Sequence, residues 1–208
     1  FAAVLTSHDQ AAIQRLAFPL IFSAFAGDGD TVKALVDIGA DVNTVAGQGF
    51  MSLLQASALS CDEELVNYLI KHGAPFDANA QFAKGSTLLE TASECGLTKL
   101  VGILLDKGAD INKYNCCGET PLTAAVSRNP YFSSVWKHRG NSDMVTFLLD
   151  HGANTAGKTG SGWICTGNGL VSNPSNAITA LHRAVSCGYI KSAAMLLGHG
   201  ADIEAKGT

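Results

Sequence analysis

Apolar residues recur along this chain with the period of a helix face, in bursts of roughly ten residues that come in pairs separated by glycine. The stretch from Gly85 to Asn112 shows the pattern most plainly. Leu88, Leu89, Ala92 and Cys95 fall on one helical face, and Gly96 stops that helix because glycine accepts the left-handed conformation of a C-terminal cap. A second helix is predicted from near Thr98. Leu100, Val101, Ile103, Leu104 and Leu105 make it apolar around so much of its circumference that burial between neighbours is expected. Gly108 closes it, and Ala109-Asp110-Ile111-Asn112 leads into a polar turn with Gly118. Thr120-Pro121-Leu122 then opens another helix, with proline in a first turn that loses no hydrogen bond to it.

The same pair of helices repeats. Residues starting each first helix are Phe18, Ser52, Thr87, Thr120 and Thr179, at intervals of 34, 35, 33 and 59. The glycine closing each second helix recurs as Gly39, Gly73, Gly108, Gly152 and Gly200. It follows its anchor by 21 residues in four units and by 32 in the fourth, so that unit carries extra chain inside it and more after it. A fixed period of this size is the mark of a solenoid, in which each unit buries its apolar face only against its neighbours.

These units resemble ankyrin repeats. Thr120-Pro121-Leu122 and Thr179-Ala180-Leu181-His182 match the family's T-P-L-H opening. Gly39-Ala40-Asp41-Val42-Asn43, Gly108-Ala109-Asp110-Ile111-Asn112 and Gly200-Ala201-Asp202-Ile203 match its G-A-D-V-N close. The second unit departs furthest, with Ser52-Leu53-Leu54-Gln55 and Gly73-Ala74-Pro75-Phe76 in those places. The resemblance implies an all-α solenoid of stacked helix-turn-helix units joined by β-hairpin-like loops. Expected units are a capping segment at 1–17 and repeats at 18–51, 52–86, 87–119, 120–178 and 179–208. Within 1–17, Ser7-His8-Asp9 reads as a helix start. The fourth repeat carries insertions at 129–140 and 158–176, both expected as loops, with Trp136 in the first and Trp163 and Cys165 in the second.

By the same resemblance, a partner protein is expected in the concave groove, held by hairpin tips and the outer ends of first helices. Carried over by position, the hairpin residues are Ala83, Lys84, Ser86, Cys116, Cys117 and Glu119. The helix residues are Phe25, Ala26, Leu59, Ser60, Glu94, Cys95, Ser127, Arg128, Ser186 and Cys187. Phe25, Leu59, Phe82 and Arg128 are the expected energetic anchors, because aromatic, large apolar and Arg side chains desolvate well at an interface centre. Trp136 and Trp163 join the partner-binding set as aromatics in loops. His182, on the T-P-L-H histidine, is expected to hydrogen-bond backbone near the hairpin. Asn43 and Asn112 occupy a turn whose asparagine is hydroxylated in some relatives. The alternative is a small-molecule or catalytic pocket made by the insertions over the groove, lined by Trp136, His138, Arg139, Trp163 and Cys165.

Composition narrows the classes. Of 208 residues 47% are hydrophobic and only 7% aromatic, which suits helices packed through Ala, Leu and Val. A net charge of −4 gives no clustered cationic surface for nucleic acid. No apolar run reaches the roughly 18 residues of a membrane span. The six cysteines include no C-x-x-C pair, and thiols left unpaired point to a reducing, intracellular compartment, cytoplasmic or nuclear. Cys95 and Cys187 hold one repeat position and Cys61 the next. The sequence opens at Phe1 and ends where another hairpin is due, so a monomeric piece of a longer protein is expected.

Gly152-Ala153-Asn154-Thr155-Ala156-Gly157-Lys158-Thr159 satisfies the phosphate-loop spelling G-x-x-x-x-G-K-[ST]. That loop needs a buried strand before it and a helix after it; here a helix precedes and Gly160-Ser161-Gly162 follows. His72, His151 and His199 each precede a closing glycine, where a cation faces the last carbonyls of a helix; that position explains them without a metal. No nucleophile elbow or paired carboxylates are present, so neither an enzyme nor a cofactor is expected.

Overall fold

The computed structural model describes residues 10–46, 51–81, 86–115, 118–127, 141–157, 162–166, 169–173 and 178–205. They fall into two compact units, Phe1–Asp77 and Ala78–Thr208. The class is the all-α repeat solenoid. No helix among the described residues is long and apolar enough to cross a membrane.

The first unit holds α1 (Gln10–Ala26), α2 (Gly29–Asp37), the short antiparallel strands β1 (Val45–Ala46) and β2 (Met51–Ser52), α3 (Leu53–Leu59) and α4 (Glu63–Lys71). Helices α1 and α3 pack together, α2 packs on α4, and each first helix packs on its own second helix. Leu20, Ala24, Val32, Leu53, Leu65 and Leu69 are wholly enclosed between them. On the outer side Lys33 pairs with Glu64, and Tyr68 Oη donates to Asp37 Oδ1 at 2.5 Å.

The second unit holds α5 (Leu88–Cys95), α6 (Thr98–Asp106), α7 (Pro121–Ala125), α8 (Ser142–Asp150), β3 (Gly162–Thr166), β4 (Gly169–Asn173), α9 (Ala180–Ser186) and α10 (Ile190–Gly198). First helices α5, α7 and α9 follow one another in a layer. Each second helix packs on its own first helix, and α10 also packs on α8. In α6, Leu100, Val101 and Leu104 are buried while Ile103 and Leu105 are half-buried, so its apolar circumference is only partly enclosed.

The repeated anchor residue is a helix N-cap. Ser52, Thr87, Thr120 and Thr179 sit in extended backbone, and each side chain accepts from the backbone N–H three residues on. Losing such a cap costs about 1 kcal/mol. Phe18 has no side-chain acceptor, and α1 runs through it from Gln10, directly after Ser7-His8-Asp9 and with Pro19 inside the helix. His182 completes a capping box with Thr179, its Nδ1 accepting from the Thr179 N–H at 3.4 Å.

Two expectations are corrected. The insertion after α8 is not all loop: β3 and β4 pair in register from Gly162 against Asn173 to Thr166 against Gly169. Trp163-Ile164-Cys165 and Leu170-Val171 are strand formers flanking Gly167-Asn168, a dipeptide suited to a tight hairpin turn. Cys61 and Cys95 are both disulfide-bonded, which removes the thiol argument for a reducing compartment.

The glycines that end helices differ in what surrounds them. Gly96 has φ +74, and a Cβ there would lie 2.0 Å from Asn141 Nδ2, the side chain that caps α8 through the Met144 N–H. Gly108 has φ +83 with open space around it. Gly108→Ala should therefore cost about 1 kcal/mol from the left-handed backbone alone. Gly96→Ala should cost about 2–3 kcal/mol, because it also displaces a cap. Urea unfolding of the two variants checks the order, and equal losses would contradict it.

Candidate functional site

The first helices of the second unit are joined by a chain of polar groups, with Glu90 and Arg183 buried at its ends and Asn115 and Glu119 half-buried between them. Thr87-Leu88-Leu89-Glu90 has the spacing of a capping box, which places Glu90 in the first turn of α5, and there it is buried. Its Oε1 accepts from Asn115 Nδ2 at 2.7 Å. Asn115 closes the turn before α7: its Oδ1 accepts from the Glu119 N–H at 2.9 Å, and its own N–H donates to the Glu119 carbonyl at 3.0 Å. Glu119 Oε1 then accepts from Arg183 Nη1 of α9 at 2.6 Å. Ser127, just past α7, also contacts Arg183 Nη1 and donates its hydroxyl to the Thr123 carbonyl at 2.7 Å.

Burying ions in this way is expensive unless they are paired. Arg183 is 4% exposed and its partner Glu119 is 23% exposed, so this ion pair lies largely out of water. Among the described residues no cation pairs with Glu90. Burial is the largest influence on its carboxyl, the Glu119 carboxylate adds repulsion, and together they push it up to about 7 despite the Asn115 hydrogen bond. A second set of contacts ties the turns that follow the second helices. Asn79 Nδ2 donates to the Gly108 carbonyl and Asn79 Oδ1 accepts from the Asp110 N–H, both at 2.9 Å. Asn112 Oδ1 accepts from the Asn154 N–H at 2.8 Å.

The residues expected to face a partner are placed unevenly. Phe25 is exposed on α1 and Leu59 half-buried at the end of α3. In the second unit Glu94 and Ser86 are half-buried, Cys95 is buried and disulfide-bonded, and Ser186 is exposed with its hydroxyl turned back to the Arg183 carbonyl. Glu119 is engaged by Arg183. Trp163 lies on β3 opposite Ser172, and Cys165 opposite Leu170. Phe82, Ala83, Lys84, Cys116, Cys117, Arg128, Trp136, His138 and Arg139 lie outside the described residues. Asn43 is exposed, with its N–H and Nδ2 both on Asp41 Oδ1 at 2.9 and 2.6 Å.

His72, His151 and His199 are the C-caps of α4, α8 and α10, and each Nδ1 lies 2.7–2.9 Å from the carbonyl four residues back. His199 also faces Asp150 through Nε2 at 3.3 Å, and its imidazole is held above its ordinary value by the Met195 carbonyl first and by Asp150 next. Among the described residues no three His, Cys, Asp or Glu side chains converge on a possible metal position.

Arg183 and Glu90 were not singled out by sequence, because the contacts that define them cross 64 and 25 residues. The one local signal was polarity at positions where each first helix turns inward: Glu90 is the third residue after its anchor and Arg183 the fourth.

Comparison with known proteins gives three matches to the family model described as ankyrin repeats (three copies), over residues 20–115, 54–157 and 110–207. The B-cell lymphoma 3 protein homolog of Mus musculus is 37% identical over 102 residues, 49% of this chain and 22% of that protein. An ankyrin repeat protein of Rickettsia bellii is 30% identical over 132 residues, 64% of this chain and 66% of that protein. An L-asparaginase of Dirofilaria immitis is 27% identical over 187 residues, 74% of this chain and 30% of that enzyme. The chain thus spans from about a fifth to about two thirds of the length of these relatives.

A carboxyl that ionises near 7 when folded and near its ordinary 4.5 when unfolded gives a defined pH dependence. Between those values the folded chain keeps a proton that the unfolded chain has lost. Stability is therefore full below about pH 4.5 and falls as pH rises through 7, by on the order of 3 kcal/mol at most. Glu90→Gln retains the acceptor for Asn115 without the charge. It should match wild type at pH 4.5 and exceed it by about 1–3 kcal/mol at pH 8. Urea unfolding at both pH values checks this, and an unchanged pH slope in the variant would contradict it.

Proposed function

We propose that this chain, which belongs to the ankyrin-repeat family, is a non-catalytic interaction module that binds a partner protein through the hairpins and outer first-helix ends of its repeats. Ankyrin repeats are in general protein-interaction modules, and that membership carries the reading. The partner-binding residues proposed are Phe25 and Leu59 in the first unit, and Phe82, Lys84, Glu94, Cys116, Cys117, Glu119, Arg128, Trp136 and Trp163 in the second. In support, the exposed face of α1 is rich in aromatic surface: Phe18, Phe22 and Phe25 are all exposed, and the first two stack with ring centroids 6.2 Å apart. Exposed aromatics of this kind are the side chains from which interface hot spots are built. Glu119 enters the interface as part of its pair with Arg183 rather than as a free charge. A larger signalling, scaffold or effector protein is the context proposed for this chain.

Two further proposals attach to the same reading. The module acts as a monomer, without a cofactor. Asn43 and Asn112 are proposed hydroxylation positions, and intact mass after expression in the native cell should show added oxygen; an unmodified mass would remove them. The main reading is checked by affinity capture with the chain and with a variant carrying alanine at Phe25, Leu59, Phe82 and Arg128. Helicity by circular dichroism should be retained and the captured partner lost, with affinity down at least about thirtyfold for anchors of hot-spot strength. Undiminished capture by the variant would contradict it.

A further inference from the structure

Arg183 has more hydrogen-bonding capacity than the described residues use. Its Nη1 is taken by Glu119 and Ser127, whereas Nε and Nη2 are buried and meet no acceptor among the described residues. A buried N–H without an acceptor is costly, and native proteins leave few of them. These two donors are not scattered. They lie along one edge of the planar guanidinium, at the spacing that grips both oxygens of a single carboxylate in parallel bonds. The pair with Glu119 fixes the guanidinium through its remaining nitrogen, so the edge is already oriented and its rotamer freedom already spent.

We propose that the Nε–Nη2 edge of Arg183 is a binding site for a planar carboxylate group, supplied by a small organic acid or by the tip of a partner's acidic side chain. Local charge selects against phosphate. Glu119 sits on the same guanidinium. An anion carrying nearly two charges would meet that repulsion twice over, whereas a carboxylate carries one charge and matches the fork in shape. The site lies on α9, the helix against which β3 of the inserted hairpin packs. Entry needs only a local opening of the surrounding side chains, of the kind that folded proteins undergo without global unfolding. The site does not depend on the partner-binding reading, and either can fail alone.

The test is a titration of the 15N-labelled chain at pH 7, following the Nε–H resonance of Arg183 after assignment through the wild-type backbone. The probes are acetate and N-acetylglutamate amide, each against chloride at matched ionic strength. A saturable shift with acetate, absent with chloride, is expected. Saturation by acetate alone identifies a free acid as the occupant, and saturation by the amide as well shows that an acidic side chain reaches the site. Glu119→Gln removes the competing carboxylate and should tighten acetate by roughly tenfold. A purely structural arginine would show no such gain. Shifts with both probes that merely follow the chloride control would overturn the proposal in the wild-type chain, whatever the variant does.

Discussion

A single two-helix unit of this chain has apolar residues on more faces than it can cover by itself, and the whole architecture follows from that shortage. Leu88, Leu89 and Ala92 of α5 are buried because α7 lies on one side and α6 behind. Leu100 and Leu104 of α6 and Leu148 of α8 are enclosed by the same stacking. In α9, α10 and the turn after them Val185, Ile190, Met195, Leu197 and Ile203 are exposed. Stability in such a structure is close to a sum over neighbouring units. Small residues and capped, abrupt helix ends therefore matter more than aromatic bulk.

That constraint explains which features were legible in the sequence. Ser52, Thr87, Thr120 and Thr179 were visible as starts because only a short side chain with an oxygen caps a helix there. Gly39, Gly73, Gly108, Gly152 and Gly200 were visible as stops because all five have positive φ. Cys61 shows the limit of the rule. It holds the left-handed position that glycine fills in the first, third and fifth repeats, with φ 57. The cysteines read as a repeat slot, and the oxidation of Cys61 and Cys95 was illegible because nothing in the spacing distinguishes a thiol from a bonded sulfur.

The polar chain from Glu90 to Arg183 was illegible for a different reason. Its members are ordinary residues in ordinary repeat positions, and only stacking brings Glu119 to Arg183 and Asn115 to Glu90. A buried chain of this kind adds little net stability, since desolvation offsets much of the pairing. It does place charge and unused donors within the first-helix layer. The inserted hairpin was half legible: Trp163-Ile164-Cys165 carried a strand signal that the surrounding Gly, Ser and Asn residues obscured.

Binding is proposed to use the first-helix and hairpin face of the repeats and to leave the second helices free. Hydrogen exchange of the chain, alone and bound to its captured partner, tests this most directly. Slower exchange is predicted near Phe25, Leu59, Glu94 and Glu119, with α2, α4, α6 and α8 unchanged. Protection confined to those second helices would contradict binding through the first-helix face.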